Sequence, residues 1–180
     1  MATAQPFSHD HANADEAAAE YARRGFRVLL VSGIRPDGRC TCWRDHGGGK
    51  VCDAPGKHPC ISGWTEKATS DVNQIKRWKF GTSNIGIATG GGLVVLDKDL
   101  RNGGDESYNA LVSEFGPLPD TLTVATPSGG AHYYFHDPSG TVETRKGFRS
   151  GLDLLSDGAF VVVPLSRHRI GGTYQWDGPR

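Results

Sequence analysis

Apolar side chains in this chain of 180 residues follow two rhythms, and the change from one to the other divides the sequence. The first is helical. Asn13 stands three positions before Glu16, the spacing of a capping pair, and an alanine-rich stretch then runs to Arg24 before Gly25 stops it, so a helix is expected over 14–24. A second helix is expected after Ser70 or Asp71, where Val72, Ile75, Trp78 and Lys79 fall at helical spacing as far as Phe80. A third is expected over 105–115, ended by Gly116 and Pro117.

The second rhythm is that of strands. Residues 26–32 and 84–88 read as strands, and 93–99 is the sharpest apolar run in the chain; beyond the third helix come 121–126, 132–136, 152–156, 160–163 and 173–176. Asp157-Gly158 between two of these reads as a tight hairpin. From about 35 to 60 neither rhythm survives among Gly, Pro, Cys and His. A compact domain seldom tolerates so long an irregular stretch unless something organises it, and a bound ion would. Residues 1–12 read as a disordered lead-in, followed by one domain over 13–180.

No apolar run reaches membrane-spanning length, which excludes a membrane protein. With 25 glycines and 10 prolines the chain suits a turn-rich mixed or β architecture better than a helical bundle. Twenty basic residues balance twenty acidic ones, so no overall field draws in a polyanion, and such a partner must be held by local patches. The polar, acidic N-terminus lacks an apolar secretory core. A cytoplasmic protein is therefore expected, whose four cysteines are better read as metal ligands than as a disulfide framework.

Three short segments could carry chemistry. In VVLDKDL, Asp97 and Asp99 leave one face of a strand while Lys98 leaves the other. Two acids ending an apolar strand are costly unless a cation compensates; the alternative is that the strand emerges into solvent at Asp97. In TPSGGAH, Ser128, Gly129 and Gly130 could offer successive N–H groups to a phosphate, with His132 as a further donor, or could form a plain glycine hairpin. In GLDLL, Asp153 is an acid within an apolar strand, or a hydrogen-bonded turn aspartate. Taken together, the three acids supply the hard oxygen ligands that Mg²⁺ or Mn²⁺ prefers, and Ser128 and His132 supply donors for a phosphate chain. That is a nucleotidyl-transfer site in outline.

From about Ala18 to Trp176 the chain resembles the primase-polymerase (prim-pol) family of the archaeo-eukaryotic primase superfamily, the kind found in phages, plasmids and mobile elements. Its first motif lies at Asp97-Lys98-Asp99, followed by Gly103-Gly104; its second is TPSGGAHYYF and its third GLDLLSDGAFVVVP. Upstream, GKHPCISGW resembles the family's Lys-x-Pro and Gly-Trp signature, and NIGIATG its strand before the first motif. The tail PLSRHRIGGTYQW resembles the family's ending, with Leu165 where a second proline is common.

The resemblance implies an α+β fold, with an N-terminal αβ unit packed on an RRM-like mixed or antiparallel sheet and the active site in the cleft between. It implies a template-dependent DNA primase and polymerase, using two Mg²⁺ or Mn²⁺ ions held by Asp97, Asp99 and Asp153. Ser128, Gly129, Gly130 and His132 would meet the triphosphate of the incoming nucleotide, and His168 would line the same cleft. Nucleoside triphosphates and a single-stranded DNA template are the implied partners. A helicase or helix-bundle region, in cis or in trans, is a further one, because family members commonly carry it after this core. Lys57, Arg145, Lys146 and Arg149 are candidate phosphate or template contacts. Lys76, Arg77 and Lys79, with the segment TRKGFRS, are a candidate basic track, and the neutral net charge predicts weak, salt-sensitive template binding.

Cys40, Cys42, Cys52 and His58 form a C-x-C-x9-C-x5-H array within an insertion over 35–62, with Cys60 and His46 as spare candidates. Three thiolates and one imidazole satisfy tetrahedral Zn²⁺ in a closed, structural site; reduced free thiols are the alternative. The array resembles the zinc-binding stem of some prim-pol proteins, which supports that ligand set. Gly47 to Lys50 imitates part of a phosphate loop, but Val51 replaces the necessary Ser or Thr. Two other functions use similar parts: a non-catalytic single-stranded nucleic-acid-binding zinc module, and a metal-dependent nuclease.

Overall fold

The computed structural model describes residues 11, 13–42 and 52–177. The lead-in expected over 1–12, the spare ligand His46 and the loop from Gly47 to Lys50 lie outside these residues, apart from His11. The described chain is α+β and divides into two compact units. No helix among the described residues is long and apolar enough to cross a membrane.

One unit comprises the N-terminal part as far as Ala88 together with Phe160–Tyr174. Helix α1 (Ala14–Arg23) begins at Asn13, whose side chain accepts the Glu16 N–H at 3.0 Å. That bond satisfies a donor the helix itself leaves open. Its inner face is Ala17, Ala18, Ala19, Tyr21 and Ala22, and the Tyr21 hydroxyl donates to the Pro164 carbonyl at 3.3 Å. Strand β1 (Val28–Val31) pairs antiparallel with β2 (Asn84–Ala88), which pairs with β8 (Phe160–Val162). Every residue of β2 is buried, as the central strand of a three-stranded sheet requires.

Helix α2 (Trp64–Lys67) is a single turn that the sequence reading missed, and it sets Trp64 edge-on to Phe160 at 5.1 Å. Helix α3 (Val72–Arg77) starts on the Asp71 cap but stops short of Phe80, because Trp78 is already extended. The Phe80 N–H donates instead to the Asp15 carboxylate at 2.8 Å, and that turn, not a last helical turn, buries the Phe80 ring.

The other unit is built on Thr89–Ala159 and residues 175–177. Its strands are β3 (Leu93–Lys98), β4 (Thr123–Ala125), β5 (Ala131–His136), β6 (Arg145–Arg149), β7 (Leu152–Leu155) and β9 (Gln175–Asp177). They form one sheet in the order β6-β7-β3-β5-β4-β9, antiparallel throughout. Helix α4 (Gly104–Phe115) packs on the sheet face that carries Tyr133 and Lys98. Tyr108 stacks on Tyr133 at 5.5 Å, and the Lys98 ammonium lies 4.8 Å over the Tyr108 ring and 3.1 Å from Asp105. The face of β3 that carries Asp97 is therefore the one turned from α4.

One expectation about this unit fails. Asp157-Gly158 is a turn, but not a hairpin: β7 pairs with β3 and β6, whereas β8 joins β2 in the three-stranded sheet. The turn signal specifies a reversal of the chain but not which strands pair. Strand β6, RKGFR, is mostly exposed and polar, so no apolar alternation marks it in the sequence. It is an edge strand with a register shift between Arg145 and Arg149.

Asn84 is the polar keystone of the first unit. Its buried side chain donates to the Gly56 and Arg167 carbonyls, at 3.0 and 2.9 Å, and accepts the Arg167 N–H at 2.9 Å. Asn84→Ala strands these three groups and should cost about 3 kcal/mol of stability, at roughly 1 kcal/mol or more for each lost bond. Urea unfolding measures that loss. Hydrogen exchange at the Arg167 amide should accelerate well beyond the global change.

Candidate active site and metal-ligating cluster

Asp97 lies near the end of β3 with one strand on each side. Its register partners are His132 on β5 and Asp153 on β7. Residues directly opposite in antiparallel strands share a face and stand about 5 Å apart at their roots, so Asp153, Asp97 and His132 form one row across three strands. The His132 Nε2 lies 3.6 Å from Asp97 Oδ1, and the imidazole is buried while Asp97 is half-buried.

Asp99 follows two residues on. Its carboxylate caps the 3₁₀ turn Leu100–Asn102 and takes donors on both oxygens: the Arg101 N–H and Nε on Oδ1, at 3.1 and 3.0 Å, and an Arg101 terminal nitrogen and the Asn102 amide on Oδ2, at 2.8 and 2.9 Å. The Arg101 guanidinium holds the Asp99 carboxyl below its ordinary 3.8, against the opposing effect of burial. Asp153 is held by backbone: the Gly147 N–H, in the irregular part of β6, donates to its Oδ1 at 2.6 Å. Arg101, Asn102 and Gly147 escaped the sequence reading. For the first two the signal was present, an aspartate at a helix start followed by polar side chains; for Gly147 there was none, since β6 itself went unseen.

The loop between β4 and β5 turns at Ser128. The Gly129 N–H donates to the Thr126 carbonyl at 2.9 Å, so the turn itself uses one of the donors expected for an anion. Ser128 Oγ lies 3.1 Å from Thr126 Oγ1. A Cβ on Gly130 would stand 2.1 Å from the Lys98 carbonyl oxygen, so only glycine lets this loop lie against the end of β3. Tyr133 faces α4, away from the acids, and burial beside Tyr108 pushes its phenol up to about 12. Tyr134 shares the acid face and is buried against Trp176, ring centres 5.9 Å apart.

Among the described residues, the tight groups of ligand atoms lie elsewhere. The sulfurs of Cys40, Cys42 and Cys52 are within 4.8 Å of one another, as are the ligand atoms of Cys52, Asp53 and His58. Cys52 Sγ is 3.6 Å from Cys42 Sγ and 3.1 Å from His58 Nε2, which in turn lies 3.3 Å from Asp53 Oδ1. Asp97, Asp99 and Asp153 form no such tight group.

The chain reaches the sulfur cluster through main-chain pairing. Ile34 bridges Cys40 across a tight hairpin, and the segment around Pro59 runs antiparallel to β1, with the Ser32 N–H on the His58 carbonyl at 2.7 Å. Burial alone would raise the Cys40 thiol, yet N–H groups of Gly56 and Cys42, at 3.3 and 3.4 Å, and the two neighbouring sulfurs lower it. Donors aimed at sulfur are what a thiolate ligand needs around it. Cys60 stands outside the three-sulfur group with its sulfur 3.7 Å from Ser32 Oγ, and burial raises its thiol.

The remaining candidates scatter. His168 is buried in the first unit, packed edge-on to Tyr174 at 5.9 Å, with its Nδ1 accepting the Ile170 N–H at 3.3 Å. Lys57, Lys76, Arg77 and Lys79 are exposed in the same unit. Arg145 and Lys146 are exposed on β6, and Arg149 pairs with Glu114 at 2.7 Å.

Residues 18–180 match a family model, Prim-Pol, described as bifunctional DNA primase/polymerase, N-terminal. No curated protein matches the chain.

The Arg101 contact gives Asp99 a pH signature. Because the folded-state value is depressed, the contact stabilises the fold fully above the ordinary carboxylate value and is lost as pH falls through the lower one. Arg101→Ala should return the Asp99 carboxyl toward 3.8, as followed by carboxyl-carbon NMR. Parent and variant should differ in stability near neutrality and converge in acid.

Proposed function

The chain belongs to the Prim-Pol family of bifunctional DNA primase/polymerases, and from that premise we propose that it builds DNA on a single-stranded template by nucleotidyl transfer, in the replication of a phage, plasmid or mobile element. The observation that carries the reading is the row Asp153–Asp97–His132 in register across three strands, with Asp99 two residues beyond. Membership covers the broad activity; the residue roles that follow are the proposal.

Asp97, Asp99 and Asp153 would hold Mg²⁺ or Mn²⁺. The donor set fits: half-buried carboxylate oxygens on adjacent strands and just beyond one strand end, with Asp99 and Asp153 held by hydrogen bonds and Asp97 beside the His132 imidazole. When bound, such ions acidify an attacking 3′-hydroxyl and neutralise charge on the triphosphate. The protein's own part is positional. The Gly147 N–H occupies one Asp153 oxygen and so restrains the carboxylate. Arg101 and Asn102 fix the Asp99 carboxylate before any ion arrives. The His132 imidazole, beside Asp97, would donate to a triphosphate oxygen. The Ser128 hydroxyl and the loop through Gly129 and Gly130 would meet the same triphosphate, and His168 is carried as a nucleotide contact on the family resemblance.

Cys40, Cys42, Cys52 and His58 would hold one Zn²⁺. The fit rests on sulfur and imidazole donors already gathered and on two N–H groups aimed at Cys40. Four protein ligands leave no open position, so this ion would organise the loop and take no part in chemistry.

Incubation with primed and unprimed single-stranded template, labelled nucleotides and Mn²⁺ separates the competing functions. Template-directed products are expected; strand breakage or binding alone overturns the reading. Asp97→Ala should lower synthesis by at least a thousandfold without lowering the unfolding midpoint, and synthesis at the parent rate would refute the assigned site. Metal analysis should find one zinc per chain, and Cys52→Ser should lose it.

A further inference from the structure

A chain with zero net charge must concentrate positive charge locally to hold a polyanion. Within the tracks that the sequence suggests, Arg149 is already neutralised by Glu114. A different place is built for the task. In the first unit, the loop 34–38 and the hairpin 167–173 enclose an open concavity of about 520 Å³. Arg35, Arg167 and Arg169 line it and are exposed, and no ion pair among the described residues engages any of the three. The acid in the lining, Asp37, is taken by Arg39 at 2.7 Å.

The two walls are tied together. The Arg167 main chain bonds Asn84 through both its N–H and its carbonyl, Asn84 donates to the Gly56 carbonyl, and the Gly56 N–H donates to Cys40 Sγ. Cys40 pairs with Ile34, the residue before Arg35. The hairpin closes on itself through the His168 N–H to the Gly172 carbonyl and the Arg167–Thr173 bridge. Three guanidinium groups thus project from backbone that is fixed on both sides. Fixed backbone lowers the entropy cost of binding.

We propose that this arginine-lined concavity holds the phosphodiester backbone of the single-stranded template. The inference rests on the polymerase reading for the identity of the strand, and on the concavity for its place. Guanidinium groups match phosphate oxygens two at a time. The lining contains no Phe, Tyr or Trp to stack a base, so the site reads charge and leaves the sequence to base pairing. Ile170, 57% exposed at the hairpin tip, offers apolar surface to a sugar or base edge.

The test uses the full chain and a fluorescently labelled single-stranded oligodeoxythymidylate, titrated by anisotropy at several salt concentrations. The triple variant Arg35→Gln, Arg167→Gln, Arg169→Gln should bind it at least tenfold more weakly at low salt. Its slope of log affinity against log salt should fall by about 2, at about 0.7 for each lost phosphate contact on a single strand. Replacing the same three by Lys should restore the salt slope and part of the binding, the charge returning without the two-point match, which separates charge from misfolding. Affinity for a nucleoside triphosphate with Mn²⁺ should fall by a much smaller factor than affinity for the strand, because His168 in the same lining is left intact. Unchanged oligonucleotide affinity in the Gln variant overturns the proposal, as does loss of triphosphate affinity alone, which would make the concavity a nucleotide subsite. Should the parent chain bind the strand through these arginines yet synthesise nothing, the polymerase reading falls and this site stands.

Discussion

Carboxylates on neighbouring strands repel, and the six-stranded sheet sets Asp97 and Asp153 opposite one another in register. Their roots stand about 5 Å apart, and both side chains are half-buried. Each charge meets a partner supplied by a different element: the Gly147 N–H for Asp153, the His132 imidazole at 3.6 Å for Asp97, and Arg101 and Asn102 for Asp99. The central position of β3 is what makes such convergence possible. An edge strand has a neighbour on one side only and could not receive an acid from β7 and an imidazole from β5 together.

Backbone crowds the end of that strand to a degree only glycine permits. A Cβ on Gly104 would lie 2.6 Å from the Asp99 carbonyl oxygen, and one on Gly151 would lie 2.3 Å from the Gly104 nitrogen. The Asp99 N–H donates to the Gly151 carbonyl and the Asp99 carbonyl accepts from Gly104, so the entry to β7, the start of α4 and the exit of β3 share one knot of main-chain bonds. Gly104, first noticed as an accompaniment of the Asp-x-Asp motif, thereby acquires a steric reason. Moving any one of these three segments would move an acid.

What local pattern encodes was legible. The Asn13 cap, the run of β2 and the apolar stretch of β3 are written in periodicity, and they form where expected. So is the opposed direction of Lys98 and Asp97, which follows from the two-residue period of a strand. Pairing was not legible. Nothing within 152–163 says that its halves enter different sheets, because a turn signal specifies a reversal and not a partner. Strand β6 was hidden by exposure, and with it the Gly147 donor that fixes Asp153. The early stop of α3 was hidden because Phe80 is buried at helical spacing but held there by Asp15, 65 residues away in sequence.

The sulfur cluster and the arginine hairpin belong to one mechanical system within their unit. Among residues 33–60 Ile34 is the only large apolar side chain that is buried among those described, so hydrophobic burial cannot hold these loops. Main-chain pairing to β1 and the gathered thiols hold them instead. Gly56 is the shared element: its N–H serves Cys40 and its carbonyl serves Asn84, whose other bonds fix Arg167. An ion on the thiols would therefore restrain Gly56, and through it the hairpin carrying Arg167 and Arg169. A metal that touches no substrate would still set how rigidly the arginines are presented to one.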